Sequence, residues 1–287
     1  MDEFPQANSK VVAHSQDVFL GGPATNAAIT FAHLGGKSTL VTGVGRHALC
    51  SMVREEIKRY SIELLDLNPN SDKLPAISSI SVNKTGERNI VSANATGVSL
   101  PPAQVDEAAL AEASVVLVDG HYMQACQAWS RAACAREARV VLDAGSWKDG
   151  TEELLKSIHT AICSADFRPP GCLNEASVFK YLKDRGVTNI AITNGAEPIR
   201  FVSEQTSGIV QVPQVQLVDS MGAGDIFHGA FCFYISIGCE FEEALRKSAR
   251  VAAGSCRFHG AREWMTHSIS EPPSGVERQN CAKLEEI

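Results

Sequence analysis

The spacing of apolar residues changes character along this chain, and each change predicts an element. Residues 10–20 alternate weakly between apolar and polar, which predicts an extended segment. Gly21-Gly22-Pro23 interrupts it. Ala27, Ala28, Phe31 and Leu34 then recur at helical spacing, so 24–34 reads as a helix that Gly35-Gly36 stops. Residues 38–44 are β-rich and end in Gly45, and 48–60 reads as a second helix. The runs 76–83 and 89–93 flank Lys84-Thr85-Gly86-Glu87, the pattern of a hairpin.

Beyond the hairpin, short all-apolar runs at 115–118, 140–143, 160–163 and 189–193 alternate with helical periods at 123–139, 151–157 and 174–185. Strands that are apolar on both faces belong to sheets covered on both sides, so the pattern predicts an α/β chain around a mainly parallel sheet. Ligands in such sheets collect beyond the carboxyl ends of the strands. Asp119-Gly120-His121, Asp143-Ala144-Gly145 and Asn194-Gly195 fall at those ends. Residues 199–202 and 208–212 predict a second hairpin, 241–258 a last helix, and about 265–287 an irregular polar tail. With no repeat and no long linker, residues 1–287 read as one domain.

Composition narrows the function classes. A hydrophobic fraction of 44% over 287 residues suits a globular core, and a formal net charge of −7 argues against nucleic acid as main partner. No apolar run approaches the roughly 18 to 20 residues of a membrane helix, and the first residues lack a signal-peptide pattern. Nine cysteines without a CxxC pair suit reduced thiols, and eight histidines show no metal-ligand spacing. The expectation is a cytoplasmic protein.

The chemistry concentrates in Val218-Asp219-Ser220-Met221-Gly222-Ala223-Gly224-Asp225, which reads as a strand end, a glycine turn and a helix start. Gly222 and Gly224 allow a sharp bend, and the helix that begins there points unpaired N–H donors at whatever lies in the turn. Asp225 places a carboxylate beside that anion site, and a carboxylate can take a proton from a hydroxyl. Anion cradle and base together are the equipment of phosphoryl transfer to an alcohol. An Asp that only caps its helix is the plain alternative on the local motif.

Two motifs carry a family resemblance. Gly21-Gly22-Pro23-Ala24-Thr25-Asn26-Ala27-Ala28 with Leu34-Gly35 resembles the first signature of the PfkB, or ribokinase-like, carbohydrate kinases. Asp219 to Asp225 resembles the second, with Ser220 at the usual threonine. The resemblance covers about residues 10–264. It implies a three-layer α/β/α ribokinase-like domain with a small β lid built from about 10–20 and 76–93. It implies transfer of the ATP γ-phosphate to a sugar hydroxyl, with Asp225 as base and Gly222, Ala223 and Gly224 as anion hole.

By the same resemblance, Gly21, Gly22 and Asn26 fall where the family contacts sugar, and Arg88 beyond the lid turn is a further substrate candidate. Asn194, Gly195, Asp219, Ala253, Cys256 and Gly260 fall on the nucleotide side. The cofactors implied are ATP and Mg²⁺, with a monovalent cation such as K⁺ also used in the family; lids pair into a homodimer in some members. The segments Cys256 to Arg262 and Ser164-Ala165-Asp166 are closer to ketohexokinase and sulfofructose kinase than to ribokinase itself.

The chain departs from the pattern in three places. The family's first strand, with its glycine turn and substrate aspartate, has no counterpart, which implies weakened stability or substrate binding. The N-x-x-E motif that organises Mg²⁺ is replaced by Ser164-Ala165-Asp166-Phe167, leaving Asp166 as metal candidate, with Asn174-Glu175 more suited to starting a helix. Arg46-His47 stands where the family has an acidic pair. Two rivals follow: a nucleoside kinase of the adenosine type, and a catalytically impaired sugar- or nucleotide-binding protein.

Overall fold

In the computed structural model, which describes residues 1–85, 87–93, 100 and 104–267, the chain enters its first regular element at Gly22. With φ 100° that glycine is the N-cap of α1 (Pro23–His33), whose proline occupies the position where a missing N–H costs nothing. The strand β1 (Thr39–Thr42), helix α2 (Cys50–Arg59) and strand β2 (Glu63–Asp66) follow, and β1 and β2 pair in parallel as a two-stranded sheet. Antiparallel strands β3 (Ile77–Val82) and β4 (Arg88–Ala93) form the expected hairpin.

Helix α3 (Glu107–Ala111), capped by Asp106, leads to β5 (Val115–Val118), and α4 (Met123–Cys134) to β6 (Arg139–Ala144). Helix α5 (Thr151–Leu155) then leads to β7 (Thr160–Ser164), and α6 (Glu175–Lys183) to β8 (Asn189–Asn194). Strands β5 to β8 pair in parallel in chain order, while β9 (Glu197–Val202) and β10 (Ser207–Val210) extend the sheet antiparallel. Helices α7 (Ala223–Ser236) and α8 (Phe241–Ser255) close the fold, with a short 3-10 turn at Glu263–Thr266.

The six-stranded sheet is covered on both faces, which is why the middles of its central strands (residues 140–142, 161–163 and 190–192) are apolar. Trp129, Leu154, Val178 and Leu182 of α4, α5 and α6 pack on one face. Phe227, Phe231, Leu245 and Ala249 of α7 and α8 pack on the other. This is the expected three-layer arrangement. Among the described residues, β5 at the outer edge pairs only with β6, and β1 only with β2. Residues of β1 and β5 line the same cleft of about 2340 Å³. Lys37, before β1, pairs with Glu112, before β5, at one end of that gap. At the other end the Tyr122 hydroxyl donates to the Gly43 carbonyl at 3.3 Å.

Several boundaries differ from expectation. Residues 10–20 lie over the cleft beside β3 but form no ladder, because the alternation is broken by the polar run His14-Ser15-Gln16-Asp17. Val218 is not on a strand; its N–H and that of Asp219 both donate to the Cys256 carbonyl, at 2.8 and 3.2 Å, so the approach to the turn is held by the end of α8. Helix α4 stops at Cys134 rather than residue 139, since Glu137 turns the chain with φ 59° so that Arg139 can pair with Val115. The strand β2, unremarked in the sequence, forms from Glu-Leu-Leu-Asp because β1 offers it an edge. The tail beyond residue 267 lies outside the described residues. Among the described residues, no helix is long and apolar enough to cross a membrane.

Candidate active site

The turn before α7 is assembled by one carboxylate. Asp219 accepts from the Met221 N–H and the Gly260 N–H, each at 2.9 Å, and so ties the glycine turn to the loop after α8. Gly222 caps α7 with φ 72°, a conformation natural to glycine. A Cβ there would lie 3.1 Å from the Ala261 Cβ and 3.4 Å from the Asn26 amide nitrogen. The Ile226 N–H donates to the Gly222 carbonyl at 2.8 Å, closing the first helical turn. The amides of Gly224 and Asp225 precede that closure and have no acceptor within the helix. The positive end of the helix dipole therefore faces the turn.

Asp225 is oriented by a chain of side chains from four parts of the sequence. Its Oδ2 accepts from the Asn26 amide at 2.6 Å. The Asn26 Oδ1 accepts from the Arg262 guanidinium at 2.8 Å. Arg262 also donates to the Leu20 carbonyl at 3.0 Å and to the Glu56 carboxylate at 3.0 Å. A guanidinium has donors only, so it takes the oxygen of Asn26 and turns its NH₂ onto Asp225. Burial pushes the Asp225 carboxyl up to about 6; the Asn26 hydrogen bond opposes that shift, and the nearby Asp143 carboxylate adds to it.

Beneath Asp225 lies a buried pair. Asp143, at the end of β6, and His228, one turn further along α7, are both buried, with the His228 Nδ1 3.5 Å from the Asp143 carboxylate. Burial raises the Asp143 carboxyl above its ordinary value, and the opposing pull of His228 is the smaller effect.

Two cavities meet at Asp225. The large cleft is lined by Gly21, Gly22, Asn26, Asp119, Gly222 and Asp225. Asp119 fixes its floor, accepting from the Ala24 N–H at 3.4 Å and the His121 N–H at 2.9 Å. The smaller cavity, about 360 Å³, is lined by Asp143, Asp166, Asn194, Gly195, Gly224 and His228 as well as Asp225. An acid at the junction of two pockets, beside free amides, can pass a proton from a molecule in one pocket while an anion enters from the other.

The structure thus brings together Asp225, Gly222, Asn26, Gly21 and Gly22 around the large cleft, while Gly224 lines the smaller cavity and Ala223 lines neither. Asn26 is buried, and its amide is engaged with Asp225. Asn194, Gly195 and Asp166 gather in the smaller cavity, Gly195 in a turn with φ 55°. Asp166 is exposed there, and its N–H donates to the Ser164 hydroxyl at 3.2 Å. Gly260 lines the large cleft instead of the smaller one. Ala253 lies buried within α8 and Cys256 at its C-cap, and neither lines the two cavities. Arg88 opens β4 opposite Val82. Asn174 caps α6 through a reciprocal bond with Ser177, the helix-starting role expected of it. Arg46 donates two hydrogen bonds to the Asp72 carboxylate, both at 2.8 Å, on the surface.

Among the described residues, no cluster of three or more acidic, His or Cys side chains forms a metal cage. A nucleotide-borne Mg²⁺ needs none, because it keeps several waters and takes one or two carboxylates plus phosphate oxygens. The exposed Asp166 in the smaller cavity fits that donor set.

His228, Arg262 and Glu56 were not singled out from the sequence. A histidine amid Ile226, Phe227, Gly229 and Ala230 is a polar residue on a buried helix face, and that was the available signal for His228. Glu56 and Arg262 lie 206 residues apart, and nothing local marks them as partners.

Comparison with known proteins gives a consistent picture. A profile described as pfkB family carbohydrate kinase matches residues 2–267. A ribokinase of Haemophilus influenzae is 24% identical over 274 residues, covering 90% of this chain and 88% of that protein. A solved putative ribokinase from Agrobacterium tumefaciens superposes with a TM-score of 0.79 at 23% identity, covering 91% of this chain and 88% of the other. A putative ribokinase II from E. coli, solved in complex with ATP and Mg²⁺, gives a TM-score of 0.69 at 16% identity, with 90% and 91% covered.

Proposed function

The chain belongs to the pfkB family of carbohydrate kinases, and on that premise we propose that it transfers the γ-phosphate of ATP to a sugar hydroxyl, with Asp225 as base. The observation that carries this reading is the position of Asp225, at the N-terminus of α7 and on the wall of both cavities. The sugar occupies the large cleft between Gly22 and Asp119, and the ATP phosphates occupy the smaller cavity beside Asn194 and Gly195.

The acceptor hydroxyl gives its proton to the Asp225 carboxylate as its oxygen bonds to the γ-phosphorus. The bond from that phosphorus to the β-γ bridging oxygen breaks, and ADP leaves with the electron pair. The unpaired amides of Gly224 and Asp225 meet the charge on the transferring phosphoryl oxygens without having to reorganise, whereas the Ala223 N–H expected beside them donates to the Ser220 carbonyl at 3.3 Å. Asp166 would hold a Mg²⁺ ion that arrives with ATP, and the ion would supply neutralisation of phosphate charge. Asp219 holds the loop carrying these amides, and a monovalent cation such as K⁺, if used, would add positive charge near that loop.

An ADP-release assay over a panel of pentoses, hexoses and nucleosides tests the reading. Release that depends on a sugar supports it; release with adenosine alone moves the acceptor class to nucleosides, and none with any acceptor overturns it. Repeating the assay with K⁺ replaced by an organic cation tests the cation. The hairpin β3–β4 exposes Ile77, Ile80, Val82, Ile90 and Val91, which supports a homodimer formed through the lid. Sedimentation as a monomer at micromolar concentration would refute that pairing.

A further inference from the structure

His228 has an environment that a neutral histidine does not satisfy. Its Nδ1 lies 2.7 Å from the Gly224 carbonyl and 3.5 Å from the Asp143 carboxylate. Its Nε2 lies 3.3 Å from the Ile162 carbonyl. Carbonyl oxygens only accept, and a neutral imidazole has one donor nitrogen and one acceptor nitrogen. A neutral ring would therefore turn a lone pair toward one of these carbonyl oxygens, a repulsive contact inside a buried site. A ring protonated on both nitrogens satisfies both carbonyls, and Asp143 supplies the counter-charge. Other titratable groups around the pair are Asp119 and His121 beyond β5, Lys148 beyond β6, Cys163 on β7, and Asp225 and Cys232 on α7.

The consequence reaches the anion cradle through one peptide plane. The Gly224 carbonyl and the Asp225 N–H belong to the same planar trans peptide and point in opposite directions. A cation that grips the carbonyl from inside the protein holds the N–H outward, into the turn where the transferred group sits. We propose that His228, held as an imidazolium against Asp143, is a positioning residue for phosphoryl transfer, fixing the Gly224–Asp225 peptide that faces the anion. The pair also lines the smaller cavity itself. This rests on the kinase reading above.

The first test is spectroscopic and needs no turnover. The full-length protein is prepared with ¹⁵N-labelled histidine, and the His228 signals are assigned by their loss in His228→Asn. Directly bonded protons on both ring nitrogens at neutral pH are expected; a ring nitrogen without a proton overturns the proposal.

The second test is kinetic. His228→Leu should lower kcat roughly 10- to 100-fold, the range open to a lost charge-assisted hydrogen bond, with the KM for sugar unchanged. His228→Asn keeps an N–H donor and should recover part of that loss. A His228→Leu enzyme with unchanged kcat overturns the proposal, and so does an equal loss in both variants. If wild-type protein phosphorylates no acceptor, the kinase reading fails and the spectrum still decides the charge of His228. If wild type is active and the spectrum shows a neutral ring, the inference fails alone.

Discussion

A base must be ionised to accept a proton, and at Asp225 burial works against ionisation. With its carboxyl pushed up to about 6, kcat/KM should fall with unit slope below about pH 6 and level off above it, which a pH–rate profile reads. Asn26→Ala removes the hydrogen bond that favours the carboxylate, so the inflection should move to higher pH while the plateau falls. Asp225→Asn should lower the rate by about 10² to 10⁴, measured as ADP release; an unchanged rate removes Asp225 from the mechanism. The sign of its effect on stability is the opposite. A carboxyl raised in the folded state supports folding fully below its ordinary range and loses that support as pH rises through about 6. The asparagine variant has no such loss, so at pH 7 it should melt higher, by on the order of 1 to 3 kcal/mol. The site is stabilised less than it could be because it has to react.

At the scale of elements, α1 and α7 carry the two halves of the site and touch at a glycine. A Cβ on Gly229 would come within 2.3 Å of the Ala27 carbonyl and 2.8 Å of the Thr30 Cβ, atoms that cannot swing aside. Gly229→Ala should therefore part the two helices, lower the melting temperature by the equivalent of about 1 to 3 kcal/mol, and reduce activity by pulling Asn26 from Asp225. Both signature turns were legible in the sequence because their chemistry is local: glycines at positive φ, followed by helices whose first turns carry Asn26 and Asp225. The central strands were legible because burial on both faces leaves them uninterrupted apolar runs. Residues 10–20, expected as an extended segment of the lid, join no ladder, because a weak alternation says nothing of whether an edge is there to receive it. The Glu56–Arg262–Asn26 relay and the Asp143–His228 pair were not legible. Each joins residues that only the folded sheet brings together; Glu56 and His228 stand in no motif, and the Cys256 to Arg262 segment gave no sign that Arg262 reaches Asn26.

At the scale of the molecule, ligand binding and stability are linked. ATP with Mg²⁺ at about 100 times its dissociation constant should stabilise the protein by about 2.7 kcal/mol, seen as a rise in melting temperature. Asp225→Asn should keep that rise while losing turnover, which separates the phosphate pocket from the base. The sheet suggests where resistance to opening is lowest. Among the described residues, strands β6, β7 and β8 are paired on both sides, whereas β1 and β5 each have one partner and both line the large cleft. Local opening begins where fewest backbone bonds must break, so amides of β1 and β5 should exchange with deuterium ahead of those in the centre. A sugar bound in that cleft touches both margins at once. The acceptor would then act as a basting stitch as well as a reactant, and a protease should find the seam easily in the empty enzyme and poorly in the loaded one.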